Sequence, residues 1–147
     1  MEKDRKALLF SGMALLATLF ILLTGPLYVI QNLTFVMVQI FGLLLIIWAL
    51  ITKEVNKSDS VNKLPKGYFF INKGPYEIIR HPMYAGILLF MSSLVQYDFT
   101  FLRIWAFLIL IIALLLKIVR EEHTMEHEVS GYKEYKDKTK RLIPYLF

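Results

Sequence analysis

No charged residue occurs from Ala7 to Thr52, a run of 46 residues, and charges return in a block from Lys53 to His81. A second apolar zone runs from Met83 to Leu116, interrupted by Tyr97-Asp98-Phe99-Thr100 and by Arg103. An uncharged stretch of about 18 residues or more reads as a membrane-spanning helix, because about 20 residues cross the hydrocarbon. Breaks at Gly25-Pro26 and Gln31-Asn32 divide the first run into helices expected over Ala7–Thr24 and Leu33–Thr52. The second zone predicts a short apolar stretch, Met83–Tyr97, and a fourth helix over Phe101–Leu116. The first of these is only 15 residues, so it crosses with little tilt, thins the bilayer or forms a hairpin with the fourth. The pattern predicts an all-α integral membrane protein with about four transmembrane helices.

The 147 residues read as a single domain, with two membrane helices in 1–52 and a loop, a helical hairpin and a tail in 53–147. The first apolar stretch is too long for a cleaved signal peptide and leads directly into a second one. The 29-residue connection Lys53–His81 is longer than a structureless loop usually is, so part of it is expected to work. Its first part, Lys53–Lys66, is polar, whereas Gly67–Lys73 reads as extended and packed. From Lys117 the fourth helix is expected to continue past the membrane surface, with Gly131 as an interruption. The loose apolar stripe Val119, Met125, Val129, Tyr132 and Tyr135 needs cover, which the tail obtains by folding back on the loop.

Charge orients the chain. The head Met1–Lys6 holds three Lys/Arg, Lys53–His81 holds six and the tail Lys117–Phe147 holds seven, while Gln31-Asn32 has none. The positive-inside rule then places both termini and the long loop in the cytoplasm, here of a bacterial or archaeal cell. Arg103 is expected to reach the interface with its stem in lipid. The net charge of +5 lies beside apolar helices, which favours anionic lipid over nucleic acid as its partner. The absence of cysteine excludes disulfides, thiolate nucleophiles and cysteine-ligated metals. Trp48, Trp105, Tyr28 and Tyr97 read as interface anchors, and Gly12, Gly42 and Gly86 as close-packing points between helices.

The candidate chemistry is concentrated in Gly74-Pro75-Tyr76-Glu77-Ile78-Ile79-Arg80-His81-Pro82-Met83-Tyr84-Ala85-Gly86, at the mouth of the third apolar stretch. A turn and a helix start explain Gly74, Pro75 and Pro82. They do not explain Arg80, His81 and two tyrosines, and polar groups at a membrane boundary read as functional. Glu121 and Glu122 follow the last apolar run on the same expected side, and Lys117 shares a helical face with Glu121. A carboxylate there suits an amino group or ribose hydroxyls of a charged cofactor. His123-Thr124-Met125-Glu126-His127 matches the H-x-x-E-H pattern, but a third ligand is lacking and no metal is expected. No G-x-G-x-x-G fingerprint or P-loop occurs.

Together with Tyr132-Lys133-Glu134-Tyr135 and Arg141-Leu142-Ile143-Pro144, these motifs resemble the isoprenylcysteine carboxyl methyltransferase family. That family stands with the phospholipid methyltransferases among integral-membrane enzymes using S-adenosylmethionine. The resemblance spans about Gly67–Pro144 and implies a cofactor pocket formed by the loop before the third helix and the C-terminal helix. It implies cofactor contacts from Tyr68, Phe69, Phe70 and Ile71 of the loop. Tyr76, His81, Pro82, Met83 and Tyr84 would line the pocket, with Glu121 and its neighbour Glu122 at the methionyl amino or ribose end. Where the eukaryotic enzymes carry an arginine toward the substrate carboxylate this chain has Lys117, with Arg120 in a neighbouring register, and the Glu121-to-Tyr132 spacing is one residue short. Lysine keeps the charge but loses the bidentate fork. A lipidic or prenylated carboxylate would need Lys117 or Arg120 to orient it, whereas an amine or phenol would need His81 or Glu122 as base. O-methylation of a carboxylate is the expected reaction, N-methylation of an aminophospholipid or O-methylation of another amphiphile its rival. A small packing or lipid-binding membrane protein is the alternative from another class.

Overall fold

A computed structural model describes residues 2–25, 32–56, 71–144 and 146. In chain order the helices are α1 (Glu2–Leu23), α2 (Leu33–Val55), α3 (Pro82–Tyr97), α4 (Phe101–Glu128) and α5 (Tyr132–Lys138), with a 3₁₀ turn at Gly74–Glu77 before α3. Among the described residues there is no strand, and one isolated parallel bridge joins Ile79 to Lys140. Three of the helices are long and apolar enough to cross a membrane, over Arg5–Leu23, Leu33–Val55 and Phe101–Glu128. Their outer faces expose Leu8, Leu16, Met37, Phe41, Leu44, Ile109 and Ile112 among many others. Apolar surface this extensive needs a lipid environment, which marks the chain as a membrane protein.

The expected helix starts at Leu33 and Phe101 recur in the structure, and the starts of α2 and α3 have a local cause. Asn32 caps α2 by accepting a hydrogen bond from the Thr34 amide at 3.0 Å. Pro82 stands at the first position of α3, where its missing N–H costs nothing. Charged residues lengthen three elements beyond their apolar cores, so α1 begins at Glu2, α2 runs on to Val55 and α4, as expected, continues to Glu128. Val129 caps the end of that extension, and Gly131 starts α5 at φ +83°, a conformation glycine adopts without strain.

The short third stretch is the innermost helix. Its 16 residues rise about 24 Å, less than the roughly 30 Å hydrocarbon thickness, so it is not a span of the same kind as the other three. No residue from Pro82 to Val95 is exposed. Met91, Leu94 and Val95 join Ala17 and Ile21 of α1 and Ala106, Leu110 and Leu114 of α4 in the main core. On the opposite flank α2 lies along α3, with Gly42 and Gly86 at the crossing. A β-carbon on Gly42 would lie 2.9 Å from the Gly86 carbonyl oxygen, and one on Gly86 2.8 Å from that of Gly42. Gly12 differs from the expectation: a β-carbon there would meet nothing within 4 Å.

Arg103 also departs from the expected position. Instead of reaching outward it is buried, donating to the Asp98 carboxylate at 2.8 Å and to the Ile21 carbonyl at 3.3 Å. The guanidinium thus satisfies an otherwise unpaired carbonyl at the C-terminus of α1 and ties that end to the α3–α4 turn. Gly25 lies against it, leaving no room for a side chain.

Candidate functional site

The polar turn before α3 is fixed from two sides. Gly74 adopts φ +60°, and a β-carbon there would stand 2.9 Å from Thr52 Oγ1 and 3.4 Å from Trp48 Nε1, so the turn presses on the end of α2. On its other side the backbone is stitched to the tail. The Arg80 amide donates to the Lys140 carbonyl at 2.7 Å and the His81 amide to the Arg141 carbonyl at 3.0 Å. Tyr135 adds a hydrogen bond from its hydroxyl to the Tyr76 carbonyl at 2.6 Å. The tail therefore does fold back on the loop.

Side chains lock the same junction. Glu122 is buried, accepting from Arg80 Nε at 2.7 Å and from Arg141 Nε at 3.0 Å. Arg80 also donates to the carbonyls of Lys136 and Thr139. Two guanidinium groups neutralise one buried carboxylate, which is what such a group needs in order to persist.

Glu121 points elsewhere, because adjacent helix positions are about 100° apart. It accepts from the Tyr84 hydroxyl at 2.8 Å, and Lys117 Nζ lies 5.4 Å from the Tyr84 ring centroid. Lys117 and Glu121 thus both engage Tyr84 of α3, and no ion pair joins them. The His81 ring stacks on Tyr84, with centroids 5.5 Å apart and planes 7° from parallel. Its Nδ1 is 3.7 Å from Glu121 and its Nε2 3.5 Å from Glu122. Nε2 is buried without hydrogen-bond geometry to any partner.

These groups border a cavity of about 400 Å³ over the N-terminus of α3. The preceding segment contributes Ile71, Tyr76, Arg80 and His81, and α3 itself Pro82, Met83 and Tyr84. Lys117, Glu121 and Met125 come from α4, Tyr132 and Tyr135 from α5, and Lys53 from the last turn of α2. Burial, with the nearby Glu121 charge, pushes the Tyr76 phenol above its ordinary value. Burial likewise raises Tyr132, helped by the charge of Glu122, and raises Tyr135 beside it. All three stay protonated at neutral pH, the Tyr135 hydroxyl donating to the Tyr76 carbonyl.

No family model, curated protein or solved structure matches this chain. Its site is read from its own chemistry.

Of the residues singled out in the sequence, Ile71, Tyr76, His81, Pro82, Met83, Tyr84, Lys117 and Glu121 border the cavity. Arg120 and Glu122 stand outside its wall, Glu122 being committed to the two arginines. Tyr68, Phe69 and Phe70 lie outside the described residues. His123 and His127 are exposed with ring centroids 4.6 Å apart, away from the cavity wall. Sequence reasoning missed Lys53, Met125, Tyr132 and Tyr135 as wall residues. The tyrosines had a signal in their spacing of three on a short amphipathic helix, whereas Lys53 looked like any lysine that ends a membrane span.

Proposed function

We propose that this protein is a membrane-embedded methyltransferase that uses S-adenosylmethionine and acts on a lipidic or prenylated acceptor, with O-methylation of a carboxylate as the preferred reaction. One observation carries the reading: residues from the loop, α3 and α4 that the family resemblance assigns to donor and acceptor border a single cavity. The resemblance was drawn from separated motifs, and unrelated motifs have no reason to meet around one space.

The cavity fits the donor on several counts. Its volume lies within the roughly 300–1,000 Å³ of small-molecule sites. Glu121 offers a carboxylate to an amino group or to ribose hydroxyls. The stacked rings of His81 and Tyr84, with Tyr76 and Tyr132 also in the wall, make an aromatic lining that suits a cationic sulfur. When bound, S-adenosylmethionine supplies an electrophilic methyl group on a sulfonium, with a neutral thioether as leaving group.

The chain's own part is positioning and exclusion of water. Lys117 holds a carboxylate acceptor, which is already ionised at neutral pH and loses no proton on becoming an ester. Glu121, braced by Tyr84, fixes the donor, and Ile71 and Met125 close the apolar side of the wall. The arrangement of charge supports a cytoplasmic location for this face and for both termini.

Calorimetry on the detergent-purified full chain tests the reading. Saturable one-site heat with S-adenosylmethionine or S-adenosylhomocysteine is expected. A flat titration with folded protein would overturn it and leave a lipid-binding or packing protein.

A further inference from the structure

Two lysines on the cavity wall lack a carboxylate partner among the described residues, Lys117 lying only over the Tyr84 ring. Lys53 ends α2, Lys117 lies one turn before Glu121 on α4, and among the described residues neither is ion-paired. The remaining charged groups of the wall are already engaged. Glu121 accepts from Tyr84 with His81 beside it, and Arg80 is held by Glu122 and two backbone carbonyls. Half-buried ammonium groups left in that state are costly, and an anion between them removes the cost.

Their level in the membrane narrows what that anion can be. Each lysine is the first charge after an uncharged helical length, Leu33–Thr52 in one case and Ile104–Leu116 in the other. Both ammonium groups therefore stand at the same hydrocarbon boundary. Helix α2 packs chiefly on α3 and α4 chiefly on α1, and α3 touches both α2 and α4. The last membrane turns of both helices, at Leu50, Ile51, Ile112 and Leu116, are open and apolar. An amphiphile can lie there with its chain in lipid and its head between the two cations. An amine head would meet two like charges at the same place.

We propose that Lys53 and Lys117 together form a headgroup site, and that the cavity's second occupant is a membrane amphiphile ending in an oxyanion, a carboxylate or a phosphate. Naming this amphiphile as the methyl acceptor rests on the methyltransferase reading, whereas the headgroup site rests on the two lysines and the cavity. Lys53 is then the specificity-determining residue supplied by the N-terminal half of the chain.

Tryptophan quenching provides the test, because the chain has only Trp48 and Trp105. Trp48 sits beside the Gly74 turn, just over one helical turn before Lys53, whereas Trp105 lies at the far end of α4. In Trp105→Phe protein in zwitterionic nanodiscs, Trp48 reports on single-chain carboxylate, phosphate and phosphocholine amphiphiles brominated next to the head. Saturable quenching by both anions is expected, with half-saturation about tenfold below that of phosphocholine. Lys53→Gln and Lys117→Gln should each raise the anion value by about tenfold, Lys53→Arg should retain it, and the surface change Lys140→Gln should not move it. Equal quenching by every headgroup, or a Lys53→Gln effect no larger than that of Lys140→Gln, would overturn the site. If Lys53→Gln fails to fold, Lys117→Gln carries the same comparison from α4. Inorganic phosphate at millimolar concentration should not relieve the quenching, and relief would reassign the site to a free anion. Parallel calorimetry with S-adenosylhomocysteine separates the two readings. Headgroup preference without donor binding removes the methyltransferase and keeps the headgroup site, while donor binding without headgroup preference does the reverse.

Discussion

The Tyr84 hydroxyl donates to Glu121 at 2.8 Å, joining the first turn of α3 to the polar extension of α4. This bond aims a carboxylate at the cavity that would otherwise be free to pair with Lys117 one turn away.

Glu121→Gln is therefore expected to weaken donor binding by about tenfold or more, since hydrogen bonds to charged groups contribute roughly 1.5–3 kcal/mol. Tyr84→Phe should have a smaller effect in the same direction, because it leaves the carboxylate in place but unbraced. Calorimetry with S-adenosylhomocysteine reads both. Wild-type affinity in the Gln variant would remove Glu121 from the donor site.

Glu122→Gln should act on stability before it acts on binding. Removing one partner of a buried ion pair costs about 3–5 kcal/mol in general, and the partial exposure of Arg141 places this case near the lower end. The expected signature is an earlier melting transition in detergent with the tail more accessible to protease. A variant as heat-resistant as the parent would show that the arginines find other partners.

The two glycine contexts make opposite forecasts. Gly86→Ala forces a methyl to within 2.8 Å of backbone, so overpacking of about 1–3 kcal/mol is expected at the α2–α3 crossing. Gly12→Ala meets open space and should stabilise α1 slightly, by up to about 1 kcal/mol of helix propensity. Thermal denaturation of the purified variants compares them directly. Equal shifts would contradict the crossing geometry.

Because the chain has no cysteine, its topology is open to single-cysteine labelling. Thr100→Cys and Lys140→Cys should react from opposite sides of sealed vesicles, with Lys140→Cys on the cytoplasmic side. Labelling of both from one side would break the cytoplasmic assignment of the cavity.

The chain's apolar blocks made the helices legible because charge is excluded from lipid wherever it falls in sequence. Their ends were less so for α1 and α2, which continue through charged residues that a helix tolerates once it leaves the membrane, whereas the continuation of α4 past Lys117 is legible in the sequence. Which of two neighbouring glutamates faces the cavity depends on rotation about the helix axis, set by Arg80 and Arg141 far along the chain. The spacing of Lys117 and Glu121 allowed an ion pair, but Tyr84 arrives from another helix and takes both partners. Arg103 is the same lesson at the other membrane face, where Asp98 and the end of α1 supply acceptors that no local window contains.

The stitching of Arg80 and His81 to Lys140 and Arg141 also dictates an order of biosynthesis. All three long apolar helices, with Glu122 on the last of them, are made before the tail carbonyls of Lys136 and Thr139 that complete the hold on Arg80 have been translated. Until then Glu122 lacks Arg141 and Arg80 lacks the Thr139 carbonyl, so the polar junction stays unmade within an inserted bundle. A nascent chain stopped short of Thr139 would pass every test of membrane integration and still have no finished cavity.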